Sequence, residues 1–140
     1  MEKTVVPRGI RNNNPLNIRK GNNWKGEIKD QTDPSFEQFE SMQMGVRAGF
    51  IILRKYMNGY FGMTQKFNTI EKIIGRWAPQ VENPTRKYVE YVSKMTGIPA
   101  HQKLSFSQKN YMVAIVDAMI RMECGQAIDR AIIESAYDLV

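Results

Sequence analysis

The sequence has little of what builds metal centres and covalent cross-links. It contains one cysteine, Cys124, and one histidine, His101. A single cysteine excludes an internal disulfide, and with only one histidine a metal site of nitrogen and sulfur ligands is not expected. His101 also precedes the predicted helix at whose end Cys124 lies, so the two residues are a helix length apart, which disfavours a cysteine–histidine nucleophilic pair. There is no Gly-rich phosphate loop of recognised pattern, so we expect neither metal nor cofactor.

Long apolar runs are also absent. No segment approaches the length of a membrane-spanning helix, so we expect no membrane insertion. The first seven residues, MEKTVVP, lack the apolar core of a secretory signal, which predicts synthesis in the cytoplasm without a signal peptide. With 140 residues and no internal repeats or low-complexity linker, the chain is expected to form a single domain, 1–140. The sequence carries no signal of an oligomeric state.

The charge is unbalanced towards basic residues. The formal net charge of +6 is compatible with an anionic partner, and equally with a surface that simply aids solubility. Lysine and arginine are scattered along the chain and form no basic stripe, so nucleic acid is not the expected partner.

Two regions differ in pattern. Residues 8–41 are rich in Asn and Gly, the residues of turns, and contain short extended candidates at 16–19, 27–29 and 35–39. They predict a small β-ribbon with exposed polar loops. Residues 42–140 have helical periodicity. Helices are predicted from 42 to 58, 69 to 77, 83 to 97, 105 to 123 and 127 to 139, bounded by N-cap residues, glycines and prolines. The expected fold is mainly α (α+β), with the ribbon near the N-terminus.

Glu123 is the most suggestive single residue. It lies in the last turn of the most apolar predicted helix, two residues before Gly125, which can end that helix. Desolvation of a carboxyl group favours its protonated form, which a general acid needs. A negative charge near a helix C-terminus is mildly unfavourable, so stability alone would not select this position. The ordinary alternative is a solvated glutamate at a helix end.

Other polar residues could line a ligand site. Asn14 and Asn17 offer amide groups and Trp24 offers a flat apolar surface, a combination that suits sugar rings and their hydroxyl groups. The alternative is a set of turn residues in a polar loop. Further along, Glu82 and Asn83 precede Tyr88 and could face a groove. Asn83 could instead be a helix cap, and Tyr88 could belong to the core.

Acid/base cleavage of a glycoside often uses a second carboxylate. The candidates are the acidic residues of the ribbon region: Glu27, Asp30, Asp33, Glu37 and Glu40. Spacing singles out none of them. Glu37 and Asp30 are our best candidates.

Several segments, taken in order, resemble the lysozyme superfamily. Residues 13–19 (NNPLNIR) and 24–26 (WKG) are similar to the ribbon of bacterial and phage glucosaminidases, and residues 36–41 (FEQFES) to the element that follows it. Residues 77–79 (WAP) with Tyr88 resemble a later loop of those proteins, with longer spacing. Residues 8–15 (RGIRNNNP) also resemble a group of phage and prophage proteins often labelled virion structural proteins.

The resemblance has one large departure. In those families a helix ending in an I-x-x-E-S/T-G pattern precedes the ribbon and supplies the catalytic acid. Here the matching residues are 120–125 (IRMECG), at the opposite end, with cysteine in place of serine or threonine. A circular permutation would account for this, because folds tolerate relocated termini. The alternative is that the acid helix was lost, leaving a protein without catalysis.

The resemblance implies a peptidoglycan-cleaving enzyme of phage or prophage origin, either a lytic transglycosylase or a muramidase/glucosaminidase. Glu123 would protonate the glycosidic oxygen, and in the hydrolase version Glu37 or Asp30 would assist. The glycan strand would be bound by Asn14, Asn17, Trp24, Glu82, Asn83 and Tyr88.

A holin, a virion or a secretion apparatus would deliver the protein to the cell wall. The competing hypothesis is a virion structural or wall-binding protein with the same fold and no activity. A permuted enzyme must bring Glu123 beside Asn14 and Asn17.

Overall fold

The described part of the chain is mainly helical, as the sequence predicts. The computed structural model describes residues 6–59, 65–79 and 82–140, without the side chains at 82 and 83. Its helices are α1 (Arg8–Arg11), α2 (Met42–Asn58), α3 (Ile70–Trp77), α4 (Glu82–Thr96), α5 (Lys109–Cys124) and α6 (Arg130–Asp138). None of the helices in these ranges is long and apolar enough to cross a membrane.

Helix α5 is the centre of the core. It packs against α1, α2, α4 and α6. Seven of its residues are buried: Met112, Val113, Ile115, Val116, Ala118, Met119 and Ile120. Each large apolar side chain buried in this way contributes about 1.5–3 kcal/mol relative to exposure. The nearly all-round apolar pattern of this segment therefore predicted its central position correctly.

Helix α2 forms a second wall of the core. Its apolar stripe of Val46, Phe50, Leu53 and Met57 is at most 3% exposed, as the 4-3-4 spacing predicts. The Ser41 hydroxyl accepts a hydrogen bond from the Met44 N–H at 3.2 Å and caps the first turn. The helix therefore begins and ends where the sequence predicts.

Four helix starts differ from prediction by one to four residues. Helix α3 begins at Ile70, and Thr69, predicted as its first residue, is its N-cap. Helix α4 begins at Glu82, one residue before the predicted cap, and α6 begins after Asp129, whose carboxylate accepts from the Ala131 N–H at 3.0 Å. Helix α5 begins at Lys109, four residues after Ser105. The Gln108 side chain does reach back to the Ser105 N–H, at 2.7 Å, as in a capping box. However, the Ser105 and Ser107 hydroxyls hydrogen-bond each other, and residues 105–108 form a turn.

The predicted ribbon is reduced to two isolated antiparallel bridges, Arg19 with Phe36 and Glu27 with Phe39. Residues 8–11, which we included in it, form the one-turn helix α1. Side chains take up the backbone groups that a strand ladder would use. The Gln38 side-chain oxygen, for example, accepts from the N–H groups of Thr32 and Asp33 at 2.6 and 2.9 Å. We call residues 12–41 the N-terminal loop region.

Candidate functional site

The end of α5 places Glu123 against two neutral hydrogen-bond donors. The Asn17 side-chain amide donates to Oε1 of Glu123 at 3.1 Å, and the Tyr88 hydroxyl donates to Oε2 at 3.0 Å. Helix α5 ends one residue later, where Gly125 takes the left-handed conformation (φ 70°) that glycine adopts without strain. The carboxyl group is partly exposed and held from both sides. Residues from three separate regions of the chain thus converge on it.

Asn17 is fixed by the turn that precedes it. Its backbone is left-handed (φ 53°) and its N–H donates to the Asn14 carbonyl at 3.0 Å. The Cys124 thiol donates to the Pro15 carbonyl at 3.1 Å and joins this turn to the end of α5. Gly9 lets the two come together, because a β-carbon there would lie 2.8 Å from Asn17 Oδ1 and 2.9 Å from Cys124 Sγ. The approach of Asn17 to Glu123 is therefore built into the packing.

Tyr88 belongs both to the core and to the site. Its side chain is buried, but its hydroxyl reaches Glu123 from α4. Burial, and then the nearby Glu123 charge, hold the pKa of Tyr88 well above its ordinary value, so the phenol stays neutral. Burial likewise raises the pKa of the Cys124 thiol to about 11. A thiol that stays protonated is a poor nucleophile.

Glu123 opens onto a groove of about 750 Å³. One wall comes from the N-terminal loop region, and the opposite wall comes from α2, the end of α3, and the start of α4. The lining residues are Leu16, Asn17, Ile18, Arg19, Asn22, Phe36, Ile52, Tyr56, Trp77, Ala78, Pro79, Pro84, Thr85, Tyr88, Met122 and Glu123. Among these, Arg19 and Glu123 carry charge. A cavity of about 690 Å³ also lies around Glu71 and His101, and Glu123 does not line it.

Three predicted site residues have other positions. Asn14 is fully buried and bonds the backbone of Ile18 and Glu37 at 2.9 Å, so it shapes the loop that presents Asn17. Trp24 packs against the core outside the groove lining, and its buried Nε1 has no hydrogen-bond partner in the described ranges. Asp30 is exposed and does not line the groove. The side chains of Glu82 and Asn83 lie outside the described residues.

Glu37 is buried away from the groove lining, beside Glu27. It is 3% exposed, and within the described residues its Oε2 has no hydrogen-bond partner. Burial, and then the hydrogen bond and charge of Glu27, raise the pKa of Glu37 to about 7. Two close carboxyl groups are best accommodated when they share a proton. Near pH 7 about half of the Glu37 carboxyl groups are therefore protonated, in a side chain that is buried within the loop region.

Glu37 should make stability depend on pH. Its folded-state pKa lies above its ordinary value, so its stabilising contribution is complete below about pH 4.5 and is lost as pH rises through about 7. Because of Glu37, we expect the unfolding free energy of the wild type to fall by up to about 1.4 kcal/mol per pH unit between about pH 4.5 and pH 7. In the Glu37→Gln variant this pH-dependent fall in unfolding free energy should disappear. Chemical denaturation of both proteins from pH 4 to pH 8 measures the unfolding free energy.

The control for this experiment is Glu40→Gln, because Glu40 is exposed and three residues away. Its unfolding free energy should follow the wild-type pH profile. Parallel profiles for wild type and Glu37→Gln would contradict the shared-proton arrangement.

Sequence reasoning missed the part of the opposite wall that α2 supplies and did not single out Arg19. Ile52 and Tyr56 lie four residues apart on α2, outside the stripe that predicted its core face. The sequence signal that could have identified them is a second apolar face on α2, beside the face that packs in the core. Arg19 lies within residues 13–19, but its side chain lies beside Phe36, a pairing that spacing alone does not predict.

Comparison with known proteins gives one relationship to a bacteriophage protein. Over 122 residues the chain is 46% identical to Protein P5 of Pseudoalteromonas phage PM2. The matched part covers 84% of this chain and 71% of that protein. No protein-family model matches the sequence. The relationship confirms the expectation of a bacteriophage-type protein.

Proposed function

We propose that this chain, which belongs to the same family as Protein P5 of Pseudoalteromonas phage PM2, is a peptidoglycan-cleaving glycosidase with Glu123 as its acid/base. The observation that carries the proposal is the Asn17–Glu123–Tyr88 hydrogen-bonded group at the edge of an open groove. A carboxyl group oriented by neutral donors beside a groove suits proton transfer to a bound ligand.

The placement of Glu123 supports the lysozyme-like reading of the sequence. Asn17 and Glu123 are 106 residues apart in the chain and in hydrogen-bond contact in space. This juxtaposition is what a permuted lysozyme-like domain requires, with its acid helix late in the sequence and its loop region early. Asn14 lies in the turn that carries Asn17, and its side chain holds that turn through hydrogen bonds to the backbone of Ile18.

The chemistry follows from the hydrogen bonds of Glu123. As an acid it would give its proton to the glycosidic oxygen while the C1–O bond breaks. As a base it would then take the proton of the sugar's own 6-hydroxyl while the O6–C1 bond forms, which restores the acid and gives an anhydro sugar. A tyrosine hydroxyl can donate to a carboxylate or accept from a carboxylic acid, so Tyr88 can hold Glu123 in both states.

The groove favours this intramolecular route over hydrolysis. Within the described residues, Glu123 is the one carboxylate that lines it, and neither Glu37 nor Asp30 does. Inverting hydrolysis and retaining hydrolysis both rely, in most families, on a second carboxyl group close by. A transglycosylase needs none.

Digestion of purified peptidoglycan tests the proposal. We expect soluble muropeptides whose mass spectra show anhydro ends. Reducing ends in place of anhydro ends would exclude the transglycosylase route while leaving a glycosidase. Wall binding without any released fragment would instead support the competing hypothesis of a non-catalytic virion or wall-binding protein. In either case we propose delivery to the cell wall by a holin, a virion or a secretion apparatus.

A further inference from the structure

Among the described residues that line the groove, Arg19 is the one with a positive charge. Arg19 is exposed, lines the groove, and makes no ion pair within the described ranges. An uncompensated guanidinium in a groove is a site for an anionic group on the ligand.

The position of Arg19 is set by its neighbour across the loop region. Arg19 and Phe36 form an antiparallel bridge, so their side chains lie side by side, and the Arg19 Cζ atom is 4.9 Å from the centroid of the Phe36 ring. Stacking on an aromatic ring orients a guanidinium while leaving its N–H edge open to a ligand. Both residues line the groove.

A second arginine, Arg8, lies at the same Phe36 ring but differs from Arg19 in having a carboxylate partner among the described residues. The Cζ atom of Arg8 lies 4.6 Å from the Phe36 centroid, but Arg8 donates two hydrogen bonds of 2.6 Å to the Asp33 carboxylate. That hydrogen-bonded pair also holds the pKa of Asp33 well below its ordinary range. The charge of Arg8 is thus neutralised within the protein, whereas that of Arg19 is available.

The geometry points to Arg19 as a specificity residue that binds a carboxylate carried by the glycan strand in the groove. This inference rests on the proposed function, and it narrows the substrate from N-acetylated glycans in general to those with acidic substituents. In peptidoglycan these are the peptide carboxylates, and the lactyl carboxylate wherever the peptide has been removed. A neutral glycan of the same backbone would lack the contact.

Binding to matched ligands tests the inference. The protein carrying Glu123→Gln, which prevents turnover, is titrated with a peptidoglycan-derived oligosaccharide, with the same oligosaccharide after amidation of its carboxylates, and with a neutral chitooligosaccharide of equal length. Adding Arg19→Gln should weaken binding of the acidic ligand roughly tenfold, as loss of a charge-assisted hydrogen bond does. It should leave the two neutral ligands unchanged, which also shows that the variant is folded.

Arg54→Gln is the matched control, because Arg54 is an exposed arginine of α2 outside the groove lining. It removes the same charge and should leave all three affinities unchanged. Equal weakening of the acidic ligand by both variants would overturn the inference in favour of a general charge effect. Neutral ligands that bind as tightly as the acidic one would overturn it and leave the proposed function standing. If no ligand binds and wild type releases no muropeptides, the proposed function itself fails.

Discussion

Glu123→Gln should lower the rate of muropeptide release by at least about a hundredfold, since positioned acid/base groups typically contribute 10²–10⁴. Gln has nearly the shape of Glu and can keep both contacts: its oxygen accepts from Asn17, and its amide donates to the Tyr88 oxygen. Only the transferable proton is lost. Initial rates of fragment release from labelled peptidoglycan, with protein concentration matched, measure the effect.

The matched control is Glu90→Gln, an exposed glutamate on the helix that carries Tyr88. It should keep wild-type activity. Thermal unfolding of Glu123→Gln should stay close to that of wild type, so that lost activity is not lost structure. If Glu123→Gln keeps wild-type rates, Glu123 is not the acid/base of this protein.

Gly45→Ala is expected to destabilise the fold by about 3 kcal/mol, with a fall in Tm of roughly 10 °C. Gly45 is buried in α2 against the backbone of the N-terminal loop region. A β-carbon there would overlap the Asn13 carbonyl oxygen and lie 2.9 Å from the Asn13 carbonyl carbon. These are backbone atoms of a residue in the left-handed conformation (φ 53°), so a side-chain rotation cannot relieve the overlap.

Gly75→Ala provides the opposite result from the same chemical change. Gly75 is also helical, in α3, and a β-carbon there meets no atom of the described residues within 4 Å. Alanine should stabilise that helix by about 0.5–1 kcal/mol. Denaturant unfolding of both variants gives the comparison. Equal effects at the two positions would show that the contact between α2 and the loop region is not tight.

The helical body was predictable because apolar spacing and caps act locally. The stripe of α2 and the all-round apolar pattern of α5 each predict their burial, and Gly125 predicts the end of α5. The loop region was less predictable. Its conformation depends on side-chain to backbone bonds such as those of Asn14 and Gln38, and propensity does not encode which backbone group an amide will choose.

The candidate site was predicted only in part, because some of its residues are identified by local sequence and others by contacts between distant segments. Glu123, Asn17 and Tyr88 were named from their local sequence and from a family resemblance, and they are in contact. Asn14 and Trp24 have the right chemistry for sugars, but their side chains serve the packing of the protein. The position of Arg19 depends on Phe36, seventeen positions away. Within the described residues Arg19 makes no ion pair of the kind that Arg8 makes with Asp33.

The bonds that tie the 14–17 turn to the end of α5 span 106 to 109 positions. Contacts of such sequence separation form slowly, because closing a long loop costs entropy before the contacts made by closure offset it. During synthesis, Asn17 leaves the ribosome long before Glu123 is made. Glu123 therefore gains Asn17 as a hydrogen-bond partner only when nearly the whole chain is present. Under the proposed function, a nascent or truncated copy without the end of α5 would contain the loop without the proposed activity.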